Sequence, residues 1–474
     1  MALEYQNRVF RLTLAAGLAG ATLLQANPGW AGSLVLVGGN WAYPGLGGEE
    51  EAYGVPIYQE IVDRAGGIEN ARIGILTTAS TNPSRSAGFY IEDFEILFED
   101  YYADLYPGLS GFDVEWIPIT YDLDTNTCAT SPSDASVIEQ IGTRNAFIFG
   151  GGDQSFITSC FFEEDPVLAT RTETPLLTAL KEQYAKGAVI AGTSAGTAVQ
   201  PSAPMITNGE SYESFVNGPI SFIGSPPFDN ELYYNPLGGL GFFDYGLLDS
   251  HFSERGRQGR IIRLAEELDI DLAFGVDENT ALLVTESLNE NGEPEVLFEV
   301  MGQGGIFISD LSEAIAGEKD GFWTISGVRA TYLTEGDTFD PLSRTATFGD
   351  KVSLNGLETL DGVPVEENIF SYLDDEEGWT NQRAFTETAI DLFNSNQTTA
   401  FGRSFEDDPV QYGVRLRRGA GSSGYVGLDS LGNPVYSFEG LEISIEPVPE
   451  PGTILGLLSV GVAGLGAGLR RKSS

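Results

Sequence analysis

The sequence predicts an α/β fold in which a mostly parallel sheet carries helices on both faces. Apolar, strand-like runs alternate with amphipathic helical segments from residue 33 to residue 200. Two of those runs end at turns rich in glycine, one at Gly150-Gly151-Gly152 and the other around Ser194. Alternating β and α units place parallel strands side by side, and such sheets bind ligands beyond the carboxyl ends of their strands. The sequence therefore predicts an active site at that edge.

The individual elements follow in chain order. The predicted strands are SLVLVGGN, ARIGILTTAS, DVEWIPI, NAFIFGGGDQ and AVIAGTSAG. The predicted helices between them are PIYQEIVDRAGG, FYIEDFEILFEDYYADL, SDASVIEQIG and PLLTALKEQYAKG. The third helix begins at an N-cap, Ser133 or Asp134, and the fourth has Pro175 at its first position. Later strands include GVRATYLTEGDTFD, which ends the predicted catalytic domain of residues 33–341.

The N-terminal residues have the order of a secretory signal peptide. Arg8 and Arg11 precede the apolar run Leu12–Leu24, and small residues follow it. A retained transmembrane helix is the alternative, but the run is short for a membrane span. Residues 1–31 are therefore predicted to be a signal peptide.

The C-terminal residues 448–474 resemble a PEP-CTERM sorting tail. Pro449-Glu450-Pro451 is followed by the apolar segment Thr453–Leu469 and then by basic residues. This resemblance implies an exported protein whose partners include signal peptidase and an exosortase-like protease. It also implies transient or stable anchoring through the apolar segment, at the cell surface, in the periplasm or in the extracellular matrix.

The charge of the chain excludes one class of partner. It has 69 acidic and 25 basic residues, a formal net charge of −44. Phosphate backbones would be repelled, so nucleic-acid binding is not expected. The acidity suits either solubility in a salty medium or attraction of a cationic substrate. In an exported chain, Cys128 and Cys160 are candidates for one disulfide, although the sequence leaves their distance open.

The turn Gly192-Thr193-Ser194-Ala195-Gly196 fits the G-x-S-x-G pattern of a serine nucleophile between a strand and a helix. A structural serine in a tight turn is the alternative. A nucleophilic serine needs a base, and His251 is the only histidine in the chain. A third group must orient that imidazole. The candidates between the two residues are Glu210, Glu213 and Asp249, and spacing does not choose among them.

A cluster of basic residues follows the histidine. Arg255, Arg257 and Arg260 are either a clamp for a substrate carboxylate or a basic face paired with surface acids. Asp277-Glu278 could hold a substrate cation or form a turn between strands. One histidine and two cysteines provide no metal-ligand cluster, so neither a metal nor another cofactor is predicted.

Four motifs carry a family resemblance: GGGDQ, AGTSAGTAVQPSAPMI, DSHFSERGRQGRI and GVDENTAL. In this order and context they resemble the cyanophycinases, which share a clan with the peptidase E aspartyl dipeptidases. The resemblance covers about residues 33–340 and implies a fold like that of class I glutamine amidotransferases, which is flavodoxin-like. It implies Ser194 as nucleophile, His251 as base and Glu213 as the acid. The substrate-binding residues would be Gln154, Asp249, Arg255, Arg257, Arg260 and Glu278.

The predicted function is an exported serine exopeptidase that cleaves cyanophycin, multi-L-arginyl-poly-L-aspartate, into β-Asp-Arg dipeptides. Backbone N–H groups of Ala195 and of Gly151 or Gly152 would hold the oxyanion. The alternatives are a peptidase or dipeptidase for other aspartyl peptides and a non-catalytic surface or matrix protein. The stretch SPPFDNELYYNPLGGLGFF, between the serine and the histidine, is expected to form a loop near the site. Residues 342–447 are given no chemistry; they either pack onto the catalytic domain or form a spacer. The sequence does not determine whether the chain forms a homodimer.

Overall fold

A computed structural model describes residues 32–165, 167–202, 204–289, 291–374 and 378–448. The predicted signal peptide and the apolar C-terminal segment lie outside these ranges. Within them, no helix is both long enough and apolar enough to cross a membrane.

The helices, in chain order, are α1 (Glu49–Arg64), α2 (Pro83–Leu97), α3 (Ala135–Gly142), α4 (Gln154–Phe161), α5 (Pro175–Tyr184), α6 (Ala195–Ala198), α7 (Ser211–Asn217), α8 (Gln258–Glu267) and α9 (Ala384–Phe393), with a π-helical turn at Phe98–Tyr102. The strands are β1 (Ser33–Val37), β2 (Arg72–Leu76), β3 (Asp113–Trp116), β4 (Tyr121–Asp122), β5 (Thr127–Cys128), β6 (Ala146–Phe149), β7 (Phe162–Asp165), β8 (Thr170–Glu173), β9 (Val189–Thr193), β10 (Met205–Asn208), β11 (Ile220–Ser221), β12 (Tyr233–Asn235), β13 (Leu247–Asp249), β14 (Leu272–Val276), β15 (Thr280–Leu288), β16 (Pro294–Gly302), β17 (Gly305–Asp310), β18 (Ile315–Lys319), β19 (Phe322–Thr334), β20 (Thr338–Asp340), β21 (Thr345–Thr347), β22 (Val352–Ser353), β23 (Tyr372–Asp374), β24 (Gly378–Thr380), β25 (Thr399–Arg403), β26 (Tyr412–Leu428) and β27 (Pro434–Pro447).

The main sheet has the strand order β21-β20-β16-β15-β1-β9-β6-β2-β3. The five predicted strands β1, β9, β6, β2 and β3 are all present and mutually parallel, and the later strands extend the sheet in antiparallel fashion. All residues of β6 and β9 are buried, as expected for strands that are covered on both faces. The predicted α/β class is confirmed.

Side chains of β1 show that the main sheet is the middle of three layers. Leu34 and Leu36 pack with residues of α3 and α5, whereas Val35 and Val37 pack with residues of α1 and α2. Successive side chains of a strand point to opposite faces, so helices cover both sides. The predicted cap of α3 is Asp134, whose carboxylate accepts the Ser136 N–H at 2.9 Å.

A second sheet, with the order β13-β14-β17-β19-β27-β26-β22, was not predicted as a unit. In β27 the residues Leu441, Ile443 and Ile445 are fully buried at every second position, which gives the strand one apolar face. That face joins a core that contains Phe252 and Ile261 on one side of residue 341 and Phe385 and Phe438 on the other. Residues 342–447 therefore pack onto the preceding residues, which was one of the two alternatives.

Cys128 and Cys160 form a disulfide. It joins the short β4–β5 hairpin to α4, the helix that follows the Gly150-Gly151-Gly152 loop. The bond therefore fixes the scaffold behind one predicted part of the site.

Candidate active site

Ser194 lies on a sharp turn between β9 and α6, with a φ of 55°. The two glycines of the motif are required by close backbone approach. A Cβ atom at Gly192 would lie 2.2 Å from the carbonyl oxygen of Gly196, and one at Gly196 would lie 2.0 Å from that of Phe149. The turn therefore has the strained strand–turn–helix geometry that exposes a nucleophilic hydroxyl.

His251 is the partner of that hydroxyl. Its Nε2 lies 2.7 Å from the Ser194 Oγ, and its backbone N–H donates to the carbonyl oxygen of Gly38 at 2.6 Å. Gly39, just after β1, leaves room for the ring, since a Cβ atom there would lie 2.1 Å from the imidazole. The glycines at the end of the first strand thus allow the base to reach the nucleophile.

Glu278 is the carboxylate that contacts the base. Its Oε1 lies 2.6 Å from the His251 Nδ1. The two residues meet because β13 and β14 are neighbouring parallel strands, with Asp249 opposite Gly275, and both residues follow the carboxyl ends of these strands.

The acid expected from the resemblance, Glu213, lies on α7. The neighbours that affect its pKa are Asn230, Glu231 and Glu406, and burial raises that pKa. The position against His251 is taken by Glu278, so the candidate for the acid moves from Glu213 to Glu278. The sequence offered Glu278 only as a substrate ligand, because the contact depends on the pairing of β13 with β14.

The electrostatics suit a general base. Burial lowers the pKa of His251 to about 4, against the opposing effect of the hydrogen bond to Glu278. Burial alone would raise the pKa of Glu278, but the hydrogen bond and charge of His251, together with Arg255, keep it below its usual value. At neutral pH the imidazole is therefore uncharged and able to accept a proton, and the carboxylate is ionised.

Backbone groups surround the serine where the oxyanion donors were predicted. A Cβ atom at Gly151 would lie 3.3 Å from the Ser194 Cβ, so this loop passes close to the nucleophile. Gly152 has a φ of 138°, and a Cβ atom there would lie 2.0 Å from the carbonyl oxygen of Ala79. Ala195 is the first residue of α6, and the first N–H groups of a helix have no partner within it.

A cavity of about 310 Å³ opens on one side of Ser194; we call it the arginine cavity. Its lining residues include the predicted binding residues Gln154, Asp249, Arg255, Arg257 and Arg260. The structure thus brings the predicted basic cluster to the nucleophile. Burial, together with the neighbouring arginines, lowers the pKa of Arg257 to about 9.

Asp249 lines this cavity and forms ion pairs with two of its arginines. It is 1% exposed, and its carboxylate lies 2.7 Å from Arg260 and 3.2 Å from Arg257. It therefore orients two guanidinium groups. Gln154 is the first residue of α4, and its side-chain amide donates to the carbonyl oxygen of Ile206 at 2.8 Å.

The stretch between serine and histidine supplies part of the cavity wall. Ser225, Pro226, Pro227 and Phe228 line it, and Phe228 is 100% exposed. Ser225 donates to Asp153, the N-cap residue of α4, at 2.6 Å. This loop therefore belongs to the site.

Arg383, from the segment that had no predicted chemistry, also reaches the site. It donates to Asp277 at 3.0 Å and to the Tyr332 hydroxyl at 2.9 Å, and it forms an ion pair with Glu254. Glu254 in turn accepts the backbone N–H of Glu278 at 3.1 Å. Asp277 is fully buried and has Arg383 as its cation, so it does not offer its charge to a substrate. No sequence motif indicated this connection.

Across the ranges that the structure describes, no group of three or more His, Cys, Asp or Glu side chains is arranged to hold a metal ion. Ser194 at the end of β9, a neutral histidine and an ionised carboxylate are linked in this order by hydrogen bonds, which is the arrangement of a serine hydrolase site.

Comparison with known proteins gives this class a more specific description. Residues 120–290 match peptidase family S51, and residues 447–472 match the PEP-CTERM protein-sorting motif. Cyanophycinases of Nostoc sp. and Trichormus variabilis are each 26% identical over 306 residues, 63% of this chain and 85% of theirs. A peptidase structure from an acI-B1 Actinobacterium is 16% identical and covers 66% of this chain and 98% of its own, with a TM-score of 0.40. The chain is a cyanophycinase-like serine-type peptidase, and its sorting motif indicates export and surface sorting.

Proposed function

We propose that this chain hydrolyses cyanophycin to β-Asp-Arg dipeptides through Ser194, His251 and Glu278. The observation that carries the proposal is the arginine cavity, which places three guanidinium groups beside the nucleophile. Guanidinium groups bind carboxylates in bidentate fashion, and each unit of cyanophycin carries the free carboxylate of its arginine. The names of the cyanophycinase relatives support the same substrate.

The first half of the reaction forms an acyl-enzyme. The His251 Nε2 takes the proton of the Ser194 hydroxyl while Oγ bonds to the substrate carbonyl carbon. The backbone N–H groups of Ala195 and of Gly151 or Gly152 stabilise the oxyanion, each by roughly 3–4 kcal/mol. The C–N bond then breaks, and the proton on His251 passes to the leaving amine. Glu278 holds the imidazole in the required tautomer and stabilises its protonated form.

The second half releases the product. Water attacks the acyl carbon and gives one proton to His251, the ester bond to Ser194 breaks, and the serine recovers its proton. The neutral state of His251 at the start of each half follows from its lowered pKa.

The test is incubation of the purified full chain with cyanophycin, followed by mass spectrometry for β-Asp-Arg. The wild type should release the dipeptide and Ser194→Ala should not. Ser343→Ala is the control and should keep the release, because this exposed serine donates to Asp340 at 2.6 Å and lines neither this cavity nor the serine turn. Absence of release from folded wild-type protein would contradict the substrate assignment.

A second candidate function is cleavage of other aspartyl peptides. The observation in its favour is the wall formed by residues 225–228, which could alter specificity. Labelling of Ser194 by a fluorophosphonate, without release of β-Asp-Arg, would favour this candidate. A protein that neither reacts nor cleaves would instead fit a surface or matrix role. The proposed location is the cell surface, with anchoring through residues 453–469 until the sorting protease acts.

A further inference from the structure

A second cavity, of about 320 Å³, also reaches Ser194. Its lining includes Gly150, Gly151 and Thr193, and it shares only Ser194 with the lining of the arginine cavity. The remaining lining residues are mostly aromatic, so we call it the aromatic cavity: Asn40, Trp41, Tyr43, Tyr58, Ser86, Phe89, Tyr90 and Asp93. Apart from Ser194 and the oxyanion candidate Gly151, none of these residues takes part in the proposed reaction.

The walls of the aromatic cavity present ring faces. Trp41 stacks on Tyr58 with ring centroids 3.8 Å apart. Tyr43 and Phe89 are 46% and 53% exposed, and the Arg85 guanidinium lies 5.4 Å from the centroid of the Phe89 ring. Aromatic faces attract cations, and this attraction grows when the cation is removed from water.

Asp93 adds the only charged side chain among the lining residues that the structure describes. Its Oδ2 accepts the Tyr58 hydroxyl at 2.8 Å, which fixes the carboxylate against the stacked rings. Burial raises the pKa of Asp93 to about 6, more than the Tyr58 hydrogen bond lowers it. A carboxylate in such surroundings is stabilised by an incoming cation.

We propose that the aromatic cavity binds a guanidinium or ammonium group of the substrate, on the opposite side of the reacting carbonyl from the carboxylate held by the arginines. This inference rests on the proposed function. It adds recognition of a substrate cation by the aromatic cavity to recognition of a substrate carboxylate by the arginines. The two cavities carry opposite charges and meet at Ser194, so a peptide that presents a carboxylate and a cation on either side of the reacting bond fits both. Glu278 and Asp277, the acids that the sequence offered for the cation, are occupied by His251 and Arg383.

The test compares two substrates that differ only in charge. One is a short oligomer of β-Asp-Arg units, and the other has citrulline in place of arginine. Asp93→Asn should lower kcat/KM for the arginine oligomer about tenfold, mainly through KM, since a charge-assisted contact of this size is lost. It should change kcat/KM for the citrulline oligomer by less than about twofold. An equal loss with both substrates would overturn the proposal.

Glu92→Gln is the matched control, because this exposed neighbour on α2 removes one charge without lining the cavity. It should leave both rates within about twofold of wild type. A loss as large as that of Asp93→Asn would mean that overall charge, and not the cavity, sets the preference.

Binding of L-argininamide to Ser194→Ala, measured by calorimetry, separates this proposal from the proposed function. Binding that is lost in Ser194→Ala/Asp93→Asn and kept in Ser194→Ala/Glu92→Gln supports the cation site, even if cyanophycin is not cleaved. Cleavage without argininamide binding would leave the peptidase function standing and refute the site.

Discussion

The proposed nucleophile and its proposed base come from two sheets of different construction. Ser194 follows β9 of the main sheet, whose parallel strands are joined by nearby helices. His251 and Glu278 follow β13 and β14 of the second sheet, which is completed by β26 and β27 from the far end of the chain. The contact between Ser194 and His251 is therefore a contact between two sheets.

The two halves of the site are positioned differently: the turn that holds Ser194 depends mostly on nearby residues, whereas the position of Glu278 depends on residues far away in the sequence. The Ser194 turn depends on two glycines within two positions of the serine, Gly192 and Gly196, and on the backbone of the neighbouring strand β6. The proposed acid, Glu278, is held by residues far apart in sequence, since Arg383 pairs with Glu254 and Glu254 accepts the Glu278 backbone N–H. A change in the second sheet should thus impair catalysis while leaving the Ser194 turn intact.

Glu278→Gln should have the largest effect. An amide can no longer stabilise the imidazolium or impose the required tautomer, and comparable changes lower kcat by about 10⁴-fold. Glu213→Gln, which also removes a half-buried carboxylate, should change kcat by less than about tenfold. Turnover of an aspartyl-arginine oligomer measures both variants, and the reverse ranking would restore Glu213 as the acid.

Arg383→Ala should have the next largest effect. Its removal leaves Asp277 and Glu254 without their cation, and breaking such a pair costs about 3–5 kcal/mol of stability. The backbone of Glu278 then loses its ordered acceptor, so kcat should fall at least about tenfold while KM changes little.

Thermal unfolding and steady-state kinetics measure these two effects of Arg383→Ala. Arg403→Ala is the control, since this arginine lies on β25 and pairs with the exposed Glu367. Arg383→Lys should recover part of both losses. An Arg383→Ala enzyme with normal kcat would show that residues 342–447 support the fold only.

The pH dependence should report the burial of His251 between the two sheets. Because its pKa is about 4 in the folded protein, the acidic limb of kcat/KM should have its midpoint near pH 4. The unfolded chain protonates this residue near pH 6.5, so its contribution to stability is complete above pH 6.5 and is lost as the pH falls toward 4. A kinetic midpoint at pH 6 to 7 would contradict this.

The stability part of this prediction is measured as unfolding free energy between pH 7 and pH 4. His251→Gln lacks the titrating group and should lose less stability than wild type over that interval.

Removal of the disulfide should affect activity least. The Cys128→Ser/Cys160→Ser variant should lose about 2–4 kcal/mol of stability, because the unfolded chain regains freedom. Its kcat should stay within about threefold of wild type, since the bond lies behind α4 and contacts no reacting group. Chemical denaturation and kinetics together measure this, and a large loss of kcat would show that α4 needs the disulfide to hold the Gly150-Gly151-Gly152 loop.

The sequence was sufficient for the main sheet and for Ser194 because both depend on local patterns. Continuous apolar runs marked β6 and β9, and glycine spacing marked the turn. Glu278 could not be selected as the acid, because the contact depends on β13, a strand of three residues whose pairing with β14 has no local signal. The contacts of Arg383 with Glu254 and Asp277 could not be predicted for the same reason, because they join residues more than a hundred positions apart. The pairing of β19 with β27, which completes the second sheet, also spans more than a hundred positions.

The aromatic cavity could not be predicted from the sequence either, for a related reason. Trp41, Tyr58 and Asp93 belong to a loop and two helices, and each fits an ordinary amphipathic or turn pattern by itself. Only the packing of α1 and α2 on one face of the main sheet assembles them.

The end of β27 at Pro447 coincides with the first residue of the sorting motif. Val448 is still tied to the body by a hydrogen bond from its N–H to the Gln411 carbonyl oxygen at 2.8 Å. The folded body therefore reaches into the first residues of the motif. A truncation that removed the motif from its first residue would also remove the last residue of β27 and the hydrogen bond between Val448 and Gln411.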